Sequence, residues 1–156
     1  MESNDTNHPL KNTVHRVLAH SYYVNFLFFL IGVCLDFFLR IKIFSNPWIS
    51  YFGFIFLILA TLLIFWAQHT SHTMNKENIT KETFSRGPYR YTRSPTHWGL
   101  FLLMLGFGMV INAFFVILFS IISFILTKFT FLNKQEKILE ERYGAPYSEY
   151  KKSVRL

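Results

Sequence analysis

Polar and apolar residues fall in long blocks along this chain. Three uncharged runs, 17–35, 44–74 and 94–127, are separated by short stretches that hold its charged residues. Each run is about as long as, or longer than, the roughly 20 residues that a membrane-spanning helix needs. The third would be about 51 Å long as one helix at ~1.5 Å per residue, against a hydrocarbon core of ~30 Å, so it is expected to fold back. Gly106, Gly108 and Asn112 are its polar or flexible interruption, which predicts a helical hairpin turning near Asn112. The pattern therefore predicts an all-α integral membrane protein of four transmembrane helices, 1–156 forming a single domain.

Lysine and arginine placement supports four spans over three. With the N-terminus inside, one side holds Lys11 and Arg16, then Lys76, Lys81, Arg86, Arg90 and Arg93, then Lys134, Lys137, Arg142, Lys151, Lys152 and Arg155. Arg40 and Lys42 fall outside and Lys128 near a boundary, whereas three spans would export the C-terminal cations against the positive-inside rule. Trp48 and Trp66 bracket the second span about 27 Å apart, the separation of two interfacial belts. Asp36 and Arg40, at i and i+4, are expected to pair at the outer end of the first span.

Composition sharpens this picture. Apolar residues make up 51% of the chain and aromatics 19%, too oily a mixture for a soluble domain. Glu2 and Asp5 precede the first run, and no basic n-region or cleavage site is evident, so that run is expected to be a retained helix and not a signal peptide. The net charge of +7 is dispersed around apolar spans, which points to anionic lipid headgroups and away from nucleic acid. Cys34, the one cysteine, lies inside the first run and is expected to be a small buried residue.

This leaves chemistry to two polar segments on one membrane face, the loop from Gln68 to Trp98 and the tail after Leu132. In RGPYRYTRSPTHWG, Pro88 after Gly87 forces a turn, Pro95 presets the first helical φ of span three, and Ser94 stands where its hydroxyl can cap that helix. Arg86, Arg90 and Arg93 crowd the helix start, an arrangement that suits a carboxylate or phosphate and equally suits lipid phosphates. His97 reads either as a hydrogen-bonding ligand or as an ordinary interfacial histidine. His69 and His72 have half the spacing of a metal site but no third ligand, so no metal is expected. The tail predicts a helix from Asn133 to Tyr143 ended by Gly144 and a second starting near Pro146, with Ile138, Leu139 and Tyr143 as an apolar edge. Glu136 lies about one turn past span four, where a carboxylate can face the arginine-rich loop and a cationic ligand.

GPYRYTR-SP-THWG, followed about thirty apolar residues later by QEKILEERYGAPYSEYKKSV, resembles the isoprenylcysteine carboxyl methyltransferase and phospholipid methyltransferase family. The motif-bearing part runs over about 84–154. The resemblance implies that S-adenosyl-L-methionine binds a cytosolic pocket closed by the loop, the start of the following span and the C-terminal helices, with a lipophilic acceptor arriving from the bilayer. It implies cofactor contacts at Phe84, Gly87, Tyr89, Arg90, Arg93, Ser94, Pro95, Thr96, His97, Gly99, Gln135 and Glu136. Phe84 would be a wall for the adenosine and Glu136 the partner of the ammonium or sulfonium. Phe131 and Gln135 would lie on the acceptor side.

The chain departs from the family pattern at three places. Ser94 stands where the family usually has histidine, His97 where it has tyrosine, and Gln135 replaces the first glutamate of a pair. Phe131 occupies a place where prenylcysteine methyltransferases carry an arginine, which disfavours a prenylcysteine acceptor. No general base is evident apart from His97. The expected activity is methyl transfer from S-adenosylmethionine to a lipophilic or amphipathic small molecule. The rivals are a non-catalytic membrane protein of the same fold and a distantly related membrane reductase. The expected location is a cell inner membrane, with both termini and the cofactor site cytosolic.

Overall fold

A computed structural model describes residues 8–73 and 80–154, with side chains from residue 19 onward within the first helix. The side chains of Lys11 and Arg16, together with Glu2, Asp5, Met74, Lys76 and Arg155, lie outside the described residues. The described chain is helical: α1 His8–Leu39, α2 Trp48–His72, a short α3 Lys81–Phe84, a 3-10 turn Gly87–Arg90, α4 Pro95–Val110, α5 Phe114–Thr127, a π-helical segment Lys128–Leu132, α6 Asn133–Tyr143 and α7 Ala145–Ser153.

Among the described residues three stretches are long and apolar enough to cross a membrane: Ala19–Leu39, Trp48–His72 and Phe114–Tyr143, the last running through the π segment without a break. The fourth apolar helix, α4, has 16 residues and is about 24 Å long. Burial is inverted relative to a water-soluble bundle. Phe37, Phe38, Phe65 and Leu62 point outward, while Ser21, Asn25, Ser120, Ser123 and Thr127 are enclosed. That distribution belongs to helices whose solvent is hydrocarbon, where polar groups pack inward and bond to one another. Asn25 Nδ2, for instance, donates to the Ser21 carbonyl at 2.9 Å and to Thr127 Oγ1 at 3.1 Å, joining α1 to the end of α5.

In the bundle α4 packs chiefly on α2 and then on α5, and α5 packs on α1. The α2–α4 crossing is close because glycine faces glycine. A Cβ added to Gly53 would lie 2.8 Å from the Gly106 carbonyl oxygen, and one added to Gly106 the same distance from that of Gly53. Gly106 is therefore a packing notch within α4 and not the interruption expected from the sequence. The chain does reverse at Asn112, which has a φ of 55°. Its side chain accepts the N–H groups of Ile43 and Phe44 at 3.1 and 3.0 Å and donates to the Phe44 carbonyl at 2.7 Å. The α1–α2 link and the α4–α5 turn are thus fastened together at one end of the bundle.

Two expectations for α1 are corrected. Asp36 does not pair with Arg40; its carboxylate reaches across to α5 and accepts the N–H groups of Phe115 at 3.1 Å and Val116 at 2.8 Å. A helix start leaves unpaired donors, and Asp36 supplies a carboxylate there from another helix. Cys34 is exposed on the outer face and not buried, because the inward face of α1 is taken by Ser21, Asn25 and Gly32.

Candidate functional site

The site is assembled at the end of the bundle opposite Asn112, where α2 finishes, α4 begins and the α6–α7 pair lies. Thr80 and Thr83 form a reciprocal capping box that starts α3. The chain then turns at Gly87, whose φ of 55° a residue with a side chain rarely adopts. A Cβ there would also collide with Thr70 Oγ1 of α2, so glycine both makes the turn and lets the loop lie on α2. Pro88 is buried behind it, and the 3-10 turn carries Tyr89 inward while Arg86 and Arg90 stay exposed.

Pro95 opens α4, as its preset φ requires. The Ser94 hydroxyl does not cap this helix, contrary to expectation. Its backbone carbonyl instead accepts the N–H groups of His97 at 3.1 Å and Trp98 at 3.3 Å. Only one of the three arginines turns to the tail: Arg93 Nη1 meets Glu136 Oε2 at 2.8 Å, with both side chains largely shielded. Lys151 Nζ of α7 stands 3.5 Å from the same carboxylate oxygen and 3.2 Å from Glu140 Oε2. The two motifs, 43 residues apart at these positions, therefore meet through opposite charges.

Glu136 reaches the loop through an uninterrupted helix. The π segment Lys128–Leu132 changes the helical register between α5 and α6, and such segments recur at functional sites. Behind Glu136, Ile138 is buried, and Leu139 and Tyr143 pack on a cluster of Tyr147, Tyr150 and Val154. Phe84 completes that cluster, with its ring centroid 5.2, 5.4 and 5.8 Å from those of Tyr143, Tyr147 and Tyr150. Its ring joins α3 to α7. Tyr150 also donates its phenol to the Tyr89 carbonyl at 2.7 Å, fixing the loop to the last helix. Burial pushes the Tyr150 phenol above its ordinary range, with the nearby Tyr89 phenol adding to the shift; the group is a neutral donor at physiological pH.

Tyr89 faces a small polar cluster. Its phenol approaches the hydroxyls of Thr96 on α4 and Ser71 on α2, and burial raises its pKa more than those contacts lower it. The phenol of Tyr22, from α1, also interacts with Thr96, and its ring lies 5.7 Å from that of His97. His97 is 5% exposed, and neither of its nitrogens has a partner.

The structure thus brings together Tyr89, Arg93, Thr96, His97 and Glu136. Gly99 is turned away from this group, onto Ile64 and Ala60 of α2. Gln135 and Phe131 are half-buried in the segment leading to Glu136. Tyr22, Ser71, Tyr150 and Lys151 join the site without having been expected there. For Tyr22 the signal was weak, a tyrosine pair within an apolar run; for Tyr150 and Lys151 it was the tail motif that contains them. A separate apolar hollow of about 550 Å³ on the outer surface, lined by Leu59, Leu62, Leu63, Phe65, Trp66, His69 and Leu102, carries none of these groups.

A model of the phospholipid methyltransferase family matches residues 45–146, which take in α2 through the start of α7 and leave out α1. No curated protein and no solved structure matches the chain.

Proposed function

Because the chain belongs to the phospholipid methyltransferase family, whose members are membrane methyltransferases, we propose that it transfers a methyl group from S-adenosyl-L-methionine to a lipophilic or amphipathic small molecule. The observation that carries this reading is the 2.8 Å contact of Arg93 with Glu136, which joins the loop motif to the tail motif. The donor set fits the cofactor's amino-acid end: Glu136 offers an anion for its ammonium, and Arg93 and Lys151 offer cations for its carboxylate. The start of α4, free of a side-chain cap, adds the positive end of a helix dipole. Tyr89, Ser94, Pro95 and Thr96 line the approach, and Gln135 stands beside Glu136.

The cofactor supplies a methyl group already activated on a sulfonium. The protein's part is to position and to exclude water. Arg93, Glu136 and Lys151 hold the polar end at the bundle rim, while Tyr150 and the aromatic cluster keep α7 closed over the loop. Within this reading α1, α2, α4 and α5 all cross the bilayer, and the arginine-rich end faces the cytosol of a cell inner membrane. Phe84, Gly87 and Gly99 support the site through packing and turn geometry.

A titration of the detergent-purified protein with S-adenosylhomocysteine tests the proposal. Saturable binding is expected, weakened about ten- to a hundredfold in Glu136→Ala, the cost of one charged hydrogen-bonding partner. Absence of binding to folded protein would overturn it and favour a non-catalytic membrane protein of the same fold.

A further inference from the structure

The methyl-transfer reading leaves the acceptor without a site, and the most conspicuous unused groups in the bundle lie beside the proposed cofactor cradle. An imidazole has two nitrogens that each call for a hydrogen-bond partner. Both nitrogens of His97 are enclosed without one, in a side chain 5% exposed. Burying such groups unpaired is unfavourable, and a ligand that bonds the imidazole would relieve that cost. On α1, one residue before Tyr22, the Ser21 hydroxyl is enclosed at 1% exposure and is also without a partner. Tyr22 links the two helices, its phenol on Thr96 and its ring against His97.

We propose that Tyr22, Thr96 and His97 form an acceptor notch that takes the hydrogen-bonding head of an uncharged amphipathic molecule, an alcohol or thiol on an apolar body, with His97 bonding the head. This assignment rests on the methyl-transfer reading and names its substrate class. The head is uncharged because the groups meeting here, Tyr22, Thr96, Tyr89 and Ser71, are neutral hydroxyl bearers, and a charge enclosed without a countercharge is strongly disfavoured. The body is apolar because the way in is from the bilayer: Tyr22 is 38% exposed, and Tyr23, Phe26 and Leu27 beside it face outward. Thr96 adjoins both phenols, so the notch lies next to Tyr89 and the cofactor cradle. α1 lies outside the family match, so Tyr22 is a contribution of this chain's own first helix.

The test uses full-length protein in detergent with isotope-labelled histidine, the His97 resonance being identified by its loss in His97→Gln. The probes are 1-decanol and 1-decanethiol, with decylamine and decane as charged and headless controls. A saturable shift of the His97 signal with decanol or decanethiol is expected, with none from decane or decylamine. Tyr22→Phe and Thr96→Val should each weaken it about fivefold, the loss of one hydrogen bond. An equal shift from decane, or no shift from either uncharged probe, overturns the notch. S-adenosylhomocysteine is titrated into the same samples. Cofactor binding without the imidazole shift sinks the notch alone, whereas the shift without cofactor binding keeps the notch and sinks the methyl-transfer reading.

Discussion

Asp36 shows how a single residue can be read correctly in kind and wrongly in partner. A carboxylate inside a span must be compensated, and Arg40 is the nearest cation along the helix, but the compensation comes from the Phe115 and Val116 N–H groups at the start of α5. Sequence spacing sees only same-helix neighbours, so a tertiary cap is invisible to it. Asp36→Ala is expected to cost about 1 kcal/mol, as the loss of a helix cap does, and to lower the thermal midpoint in detergent. Arg40→Ala should leave that midpoint nearly unchanged; equal effects would restore the ion-pair interpretation. Gly106 makes the complementary case. A side chain there meets the Gly53 carbonyl at 2.8 Å, so Gly106→Val should separate α2 from α4 and destabilise by about 1–3 kcal/mol, the range for overpacking. Intact stability in that variant would mean that the close crossing is dispensable.

At the scale of elements, the tail was legible in outline. The Asn133–Tyr143 helix, its end at Gly144 and the short helix after it are all present, and the end and the second helix follow from Gly144 and Pro146; the start at Asn133 carries no cap, because α6 continues α5 through the π segment. The π segment was not legible, because KFTFL has no sequence mark for one extra residue per turn. That segment sets which face of α6 meets Arg93. Inserting one alanine after Thr130, an exposed residue within it, adds a residue to the continuous helix and rotates α6 by about 100° relative to α5. S-adenosylhomocysteine binding should be lost while helix content by circular dichroism is kept; retained binding would show that the register does not position Glu136. Between α6 and α7, Glu140 accepts from the Ser148 hydroxyl at 2.9 Å and from Lys151 at 3.2 Å. The Ser148 bond, then Lys151, holds the Glu140 carboxyl below its ordinary value in the folded state. A depressed folded pKa gives stability that is present above the unfolded value and is lost as pH falls through the folded one. Acidification below the ordinary carboxylate range should therefore lower the melting temperature more in the native protein than in Glu140→Gln. Identical acid slopes would remove the contact from the account of stability.

For the whole molecule, the sequence predicted an all-helical membrane protein with a hairpin at Asn112 and two polar segments meeting, and each feature follows from a strong physical constraint: apolar length, a break in it, and charge. Placement of α1 against the site was not predictable, since its apolar run has no periodicity that fixes how the helix is rotated toward its neighbours. The number of crossings turns on α4, which at 16 residues and about 24 Å is shorter than the ~30 Å hydrocarbon core. Snorkelling flanks or local thinning can accommodate that deficit, and the polar network around Asn112 fastens the α4–α5 turn to the α1–α2 link at a single end. If both connections lie at one membrane face, the loop bearing Arg86 and the tail bearing Lys152 must share the other. Single cysteines at Arg86, Lys152 and Lys42 in a Cys34→Ser background, probed in sealed vesicles with a membrane-impermeant maleimide, decide the matter. Four crossings require 86 and 152 to label from the same side and 42 from the opposite one. Labelling of 86 and 152 from opposite sides would leave Glu136 and Arg93 across the bilayer from each other in the membrane, and with them the proposed cofactor cradle would fail.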